Sequence, residues 1–247
     1  MPEAFLEGQS RSRPAGLRDL GLLVTRPRAL FARVEDTGAY GWALAVLLVL
    51  VTLVGYAEAQ TGLYERLVDQ DVERAQADLE ATQGHLLDRV ELRDKMEELR
   101  KGGEFNKVLR RLEVIVLSPI GLLVSFLLTA SVLYAAVALI GRKPEYHTLM
   151  AICTYSGFVI LGSQALRLVM MLCYKTTRVD TSLQMLAPAG KYAWLAAFDP
   201  FRLWYWLLVG LGVVVTQQLG RRSAIVTVSL LLLVASGVRI GLAYMGS

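Results

Sequence analysis

Histidine and cysteine are almost missing from this chain, with two of each in 247 residues. His85 and His147 are isolated and lie outside the apolar runs. Cys153 and Cys173 share one apolar run, and on a helix their separation would be about 30 Å. They cannot bond to each other, and there is no CxxC pair, so a disulfide framework is excluded and no metal site is expected. Common enzyme motifs are missing too. The chain has no HExxH, no Walker or GxGxxG loop, and no paired aspartate inside an apolar run. "TYSG", Thr154 to Gly157, lacks the leading glycine of a GxSG nucleophile turn, and no histidine lies in an apolar run to act as base. A non-enzymatic protein without a cofactor is expected. Charge is also scarce: charged residues make up 19% of the chain, and the net charge of +4 is split among segments. The basic residues read as topology signals, and no nucleic-acid surface is expected.

Apolar residues dominate instead, at 54% of the chain with a mean hydropathy of +0.44. They fall into runs near or above the ~18 residues that cross a bilayer core. The expected fold is an all-α integral membrane protein with five transmembrane helices. These cover about Ala39–Glu58, Val114–Ile140, Thr148–Tyr174, Pro200–Leu219 and Ser223–Met245. In domain terms, 1–38 is a cytoplasmic N-terminal segment, 39–59 the first membrane helix, and 60–112 an extracytoplasmic helical hairpin. Residues 113–247 hold the remaining four helices, which form one membrane domain with the first. The first strong run begins near residue 40, and "MPEAFLEGQSRSRP" has no apolar core of the kind a signal peptide carries.

Lysines and arginines in the short loops set the orientation. Arg11, Arg13, Arg18, Arg26, Arg28 and Arg33, "GRKPEYH" and "GRRS" all fall on the cytoplasmic side if the N-terminus is inside. The C-terminus is then outside, in a plasma (inner) membrane. "LRDLGLLVTRPRALFARVED" alternates leucines and arginines around Pro27. This suggests an in-plane amphipathic helix or a short helix pair at the cytoplasmic surface.

Between the first two membrane helices, Val72, Ala75, Leu79, Thr82 and Leu86 recur at 3,4 spacing, giving one apolar stripe on a helix. "KGG", Lys101 to Gly103, is expected to stop that helix and turn the chain, with a second helix starting near Phe105. The stripe Val72, Ala75, Leu79 and Leu86 either packs within the hairpin or docks a partner protein.

"FDPFRLWYW", Phe198 to Trp206, has the form of a membrane-interface helix start. Asp199 caps the first turn, and Pro200 fits the first helical position, where no amide donor is needed. Phe198, Phe201, Trp204, Tyr205 and Trp206 form an aromatic belt, and Arg202 can reach back to water or headgroups. Topology also puts Glu58, Glu113, Arg167, Asp199 and Arg239 at similar depth in the outer third of the membrane. Intramembrane charges are costly and usually pair, so Arg167 and Arg239 are expected to find partners among the three acids. The cluster is either a lock between helices or the lining of a polar cavity for an ion, lipid headgroup or small substrate, and Gln164 could join either. Gly237 and Gly241, and Gly157 and Gly162 with Ser156 and Ser163, offer small faces for close helix packing. Pro119 is expected to kink the second helix.

"FDPFRLWYWLLVGLGVVVTQQLGRRSA" resembles the penultimate-helix signature of the Yip family, the Ypt-interacting-protein membrane proteins. That signature has an Asp-Pro-Phe-x-x-Trp start, an apolar helix with a Gly after it, then a short basic turn and Ala. "TRPRALFARVEDTGAYGWAL" and "GRKPEYHTLMAICTYSGFVIL" are similar to the segments before the first helix and at the start of the third. The resemblance covers the five membrane helices and not the hairpin. It implies a five-helix fold with a cytoplasmic N-terminus and an external C-terminus. Eukaryotic members carry an Asp-Leu-Tyr-Gly-Pro-like stretch before the first helix and bind small GTPases in vesicle traffic. This sequence has no such stretch, so it looks like the bacterial branch, some of whose members resemble accessory components of ABC-type export systems.

The expected role is therefore an accessory or scaffold subunit of a membrane complex. Its expected partners are the lipid bilayer and other membrane proteins, with an ABC transporter and its periplasmic adaptor first. A homo-oligomer stays open. The alternatives are a small transporter, channel or lipid-binding protein using the charge cluster, and a trafficking factor of the eukaryotic Yip sort.

Overall fold

The computed structural model describes residues 19–37, 40–83, 88–177, 179, 181–183, 198–217, 220, 226, 229 and 232. Regular structure among them is helical. The helices are α1 (Leu20–Thr25), α2 (Pro27–Thr37), α3 (Gly41–Gln60), α4 (Leu63–Gln83), α5 (Arg89–Leu112), α6 (Ser118–Leu139), α7 (Tyr146–Tyr174) and α8 (Pro200–Thr216). A π-helical turn, Glu113–Leu117, joins α5 to α6 without a break. Three helices are long and apolar enough to cross a membrane: α3 with 20 residues, the continuous 51-residue rod Arg89–Leu139, and α7 with 29. Apolar α8 is shorter, at 17 residues. The fifth expected span lies outside the described residues except for Val226, Ser229 and Leu232, which are helical.

Backbone packing divides the chain into two units. One unit takes α1, α2, α8, the start of α3, the later part of α6 and α7 as far as Ser163. Pro27 denies Arg26 a helical conformation (φ −144°, ψ 64°) and then serves as the first residue of α2. The result is a helix pair. Leu23, Leu30, Phe31 and Val34 are buried, with α2 packed on α8, while Arg26, Arg28 and Arg33 stay exposed. The leucine face that could have rested on lipid is thus taken up by protein. Gly212 of α8 permits this packing: a Cβ there would stand 2.6 Å from Ile152 and 3.3 Å from Phe31. Gly157 of α7 plays the same part against Phe126 and Leu47, whereas a Cβ at Gly162 would meet nothing within 4 Å among the described residues. At the far end of α6 the chain leaves the helix through Gly141 at φ +82°. The Arg142 amide donates to the Val137 carbonyl (3.3 Å) and the Gly141 amide to that of Ala138 (2.9 Å).

The other unit takes the rest of α3, α4, α5, the π-turn, the start of α6 and α7 from Gln164. Thr61 and Gly62, the latter at φ +65°, are the whole link between α3 and α4. Helices α4 and α5 pack antiparallel. Glu65 pairs with Arg111, Asp69 with Lys107 at 2.7 Å, and the Gln76 amide donates to the Met96 carbonyl at 3.2 Å. "KGG" does not end a helix here, because α5 runs through it from Arg89 to Leu112. Gly103 is buried at the crossing, where a Cβ would meet Val72 at 2.6 Å. Its missing side chain lets two helices approach, and that outweighs its weak helix propensity of ~1 kcal/mol. Pro119 is answered by the π-turn: it has no amide to give the Ile115 carbonyl, and just before it the Ser118 amide reaches back five residues to Glu113.

Gly212→Val is expected to lower the stability of the full chain in detergent by roughly 1–3 kcal/mol through overpacking, and Gly162→Ala to leave it nearly unchanged. Thermal unfolding of the two variants checks the contrast.

Candidate functional site

Three stretches of the second unit converge on one buried carboxylate. Glu58 lies in the last turn of α3 and is 9% exposed. Thr61 closes that turn, its hydroxyl donating to the Glu58 carbonyl (2.7 Å) and accepting from the Leu63 amide (3.3 Å). The tight link brings Tyr64, the second residue of α4, back over Glu58. The Tyr64 hydroxyl donates to Glu58 Oε1 at 2.5 Å. From α7, Arg167 completes the triangle, with one guanidinium nitrogen 3.0 Å from Glu58 Oε1 and 2.8 Å from the Tyr64 hydroxyl oxygen. Leu63, Met171 and Val179 are buried together in the same unit, with Tyr64 and Met170 packed against them.

Burial, with the Glu58 carboxylate beside it, pushes the Tyr64 phenol up to about 12, against the pull of Arg167. The phenol therefore stays protonated and remains a donor at physiological pH. Arg167 keeps 40% of its side chain exposed, yet its Nε is buried and makes no hydrogen bond among the described residues.

These groups edge a cavity of about 520 Å³. Glu113, at the start of the π-turn, and Arg110, one turn earlier on α5, line it as a pair 2.8 Å apart. Gln164 and Ser118 add polar groups, and Val51, Val54, Val114 and Leu117 supply apolar wall. Gly55 lets α3 come against the Val114 backbone carbonyl beside it. A second space, a groove of about 1110 Å³, runs between α4 and α5. Val72, Ala75 and Leu79 of the predicted stripe line it with Leu99 and Gly103. Leu86 lies outside the described residues. Tyr64, Arg110 and Glu113 belong to both linings.

Of the five charges placed at one depth by the sequence, the structure joins Glu58 to Arg167 and sets Glu113 on the same cavity. Arg239, Gly237 and Gly241 lie outside the described residues. Asp199 belongs to the other unit, where it is buried and its Oδ1 accepts from the Phe201 amide (3.0 Å), with Pro200 opening α8. Trp204 is 43% exposed, Arg202 and Trp206 are half-buried, and Tyr205 is buried, stacked 6.4 Å from Phe126. Sequence reasoning missed Tyr64 and Arg110. A tyrosine just after a Thr-Gly helix break at the edge of an apolar run was the available signal for the first. The Arg110–Glu113 spacing of three was the signal for the second. Among the described residues no group of three or more His, Cys, Asp or Glu could hold a metal ion.

Removing one partner of a buried ion pair is worse than removing both, because a charge is left behind. Arg167→Met is expected to cost about 2 kcal/mol, less than the usual figure for a buried pair because Arg167 is partly exposed and Tyr64 still serves Glu58. The double variant Glu58→Gln/Arg167→Met should recover part of that loss. Unfolding midpoints of the two in the same detergent decide it, and a double variant worse than Arg167→Met would contradict the lock.

Comparison with known proteins adds one positive finding. The family model described as "Yip1 domain" matches residues 20–240, which takes in the α4–α5 pair as well as the apolar helices. No curated protein and no solved structure matches the chain. With nearly the whole length matched, and with apolar helices able to span a bilayer, the chain is a membrane protein of the Yip1 family.

Proposed function

We propose that this protein is a non-enzymatic, multi-pass accessory or scaffold subunit of a membrane complex, and that it docks a partner through the α4–α5 pair. The groove between those helices carries the reading. Apolar Val72, Ala75, Leu79 and Leu99 line it, with Asp71, Lys95 and Glu98 also on its lining. An apolar floor with charged edges is what a partner helix requires. Beyond the groove, Phe105, Val108 and Leu112 expose 63%, 56% and 49% of their surface on the last turns of α5, next to the apolar stretch of α6. A partner crossing the membrane beside α6 would cover them.

In this reading the N-terminus is cytoplasmic, the C-terminus external, and the helical pair stands outside an inner membrane. α8 and the segment after it supply the remaining spans. The basic residues Arg26, Arg28 and Arg33, exposed on α1–α2, favour the cytoplasmic side for that helix pair. The family resemblance makes an ABC-type exporter and its adaptor the partners to test first, which is an argument by analogy.

Tagged full-length protein, extracted gently from native membranes, should bring down a stoichiometric membrane partner. Ala75→Glu and Leu79→Glu should each lose that partner while the protein still elutes as a folded species. Recovery of the protein alone, or a partner indifferent to both substitutions, contradicts docking in the groove. The orientation predicts a separate outcome. In a Cys153→Ser/Cys173→Ser background, a cysteine introduced at Gln83 should react with a membrane-impermeant maleimide in intact cells.

A further inference from the structure

The 520 Å³ cavity is balanced in charge. Two guanidiniums, Arg110 and Arg167, and two carboxylates, Glu58 and Glu113, line it, already paired as Arg110–Glu113 (2.8 Å) and Arg167–Glu58 (3.0 Å). A simple anion would meet no uncommitted cation there, and a simple cation no uncommitted carboxylate. A zwitterion can enter by exchanging partners: its anionic group takes guanidinium hydrogens, its cationic group takes carboxylate oxygens, and the net charge stays the same.

Unused hydrogen-bonding capacity lies beside the pairs. The Gln164 amide lines the cavity and makes no side-chain hydrogen bond among the described residues, and Arg167 Nε is buried without a partner. Apart from Tyr64 and Ser118, the remaining wall is apolar and comes from the membrane-spanning stretches, with Val51 and Val54 from α3 and Leu117 from the end of the π-turn. π-turns occur often at functional sites, and the volume falls within the range of small-molecule sites.

We propose that this cavity binds an amphiphilic zwitterion carrying a primary ammonium and a phosphodiester, the chemistry of a phosphatidylethanolamine headgroup. The phosphate forks onto Arg110 and Arg167. The ammonium donates to Glu58 and Glu113, which a quaternary ammonium cannot do because it has no N–H. The apolar wall takes the start of an acyl chain, and this distinguishes a lipid from a soluble zwitterion of the same charge pattern. The site does not depend on a docked partner, so it can stand or fall separately from the scaffold role.

The test is native mass spectrometry of the full-length protein in detergent, titrated with phosphatidylethanolamine, phosphatidylcholine and phosphatidylglycerol of matched chains. One phosphatidylethanolamine should be retained at roughly tenfold lower concentration than either of the others, the effect of one charge-assisted hydrogen bond. Glu113→Gln, at an exposed pair where folding is not at risk, leaves the cavity net positive and should shift the preference to phosphatidylglycerol. Gln164→Leu should weaken phosphatidylethanolamine binding several-fold with an unchanged unfolding midpoint. Equal retention of the three lipids overturns the proposal, as does a phosphatidylethanolamine preference that survives both substitutions. Soluble glycerophosphoethanolamine is the competing arm. Failure to displace the lipid supports a lipid ligand, and displacement at equal concentration overturns the lipid assignment in favour of a soluble zwitterion.

Discussion

A carboxylate only 9% exposed at the end of an apolar helix has to be neutralised where it stands. Glu58 finds a cation in Arg167, with the Tyr64 hydroxyl closing the third side. That requirement acts on three elements at once. α4 must begin within a few residues of α3, so that Tyr64 can turn back. α7 must pass the end of α3, so that Arg167 arrives at bonding distance. Leu63, next to Tyr64 in sequence, and Met171, one helical turn after Arg167, are then buried together. Polar satisfaction and apolar burial thus hold the same junction. The ion pair by itself contributes little net stability, since desolvation offsets much of the attraction, but it specifies which three segments meet.

The π-turn is the second constraint on this unit. α5 runs through the π-turn into α6 without a break, so the amphipathic pair is continuous with the apolar stretch after it. Within the rod, Pro119 cannot complete the helical ladder, and the widened turn before it takes up the difference. Glu113 stands at its first position, beside the cavity, and Gly55 brings α3 against Val114 in the same turn. Tyr64, Arg110 and Glu113 line both the cavity and the groove.

Much of this was legible in the sequence. Uninterrupted apolar runs located α3, α6 and α7 to within a few residues, because membrane-length apolar runs have few alternatives to helix. Asp199–Pro200 marked the start of α8 by chemistry local to one turn: a carboxylate for an orphan amide and a residue with none to lose. Around Pro27 the sequence left open one in-plane amphipathic helix or a short helix pair, and the structure has the pair. Where the deciding contact was distant, local signals misled. "KGG" looks like a helix stop on propensity alone, yet Gly103 is helical because Val72 packs where a side chain would have been. Gly162 looks like Gly157 in sequence, and among the described residues only Gly157 has a neighbour to receive.

The sequence by itself determined the class of molecule: helices of bilayer length, a polar amphipathic stretch between two of them, and a handful of charges too expensive to leave unpaired. These follow from composition, periodicity and the free energy of transfer, which each segment carries wherever it ends up. Only the tertiary structure decided which charge meets which. Tyr64 and Arg167 lie 103 residues apart, and no spacing rule connects them. Several acids could have answered Arg167. The choice of Glu58 depends on how closely α3, α4 and α7 can pack, and that is set by all their side chains together.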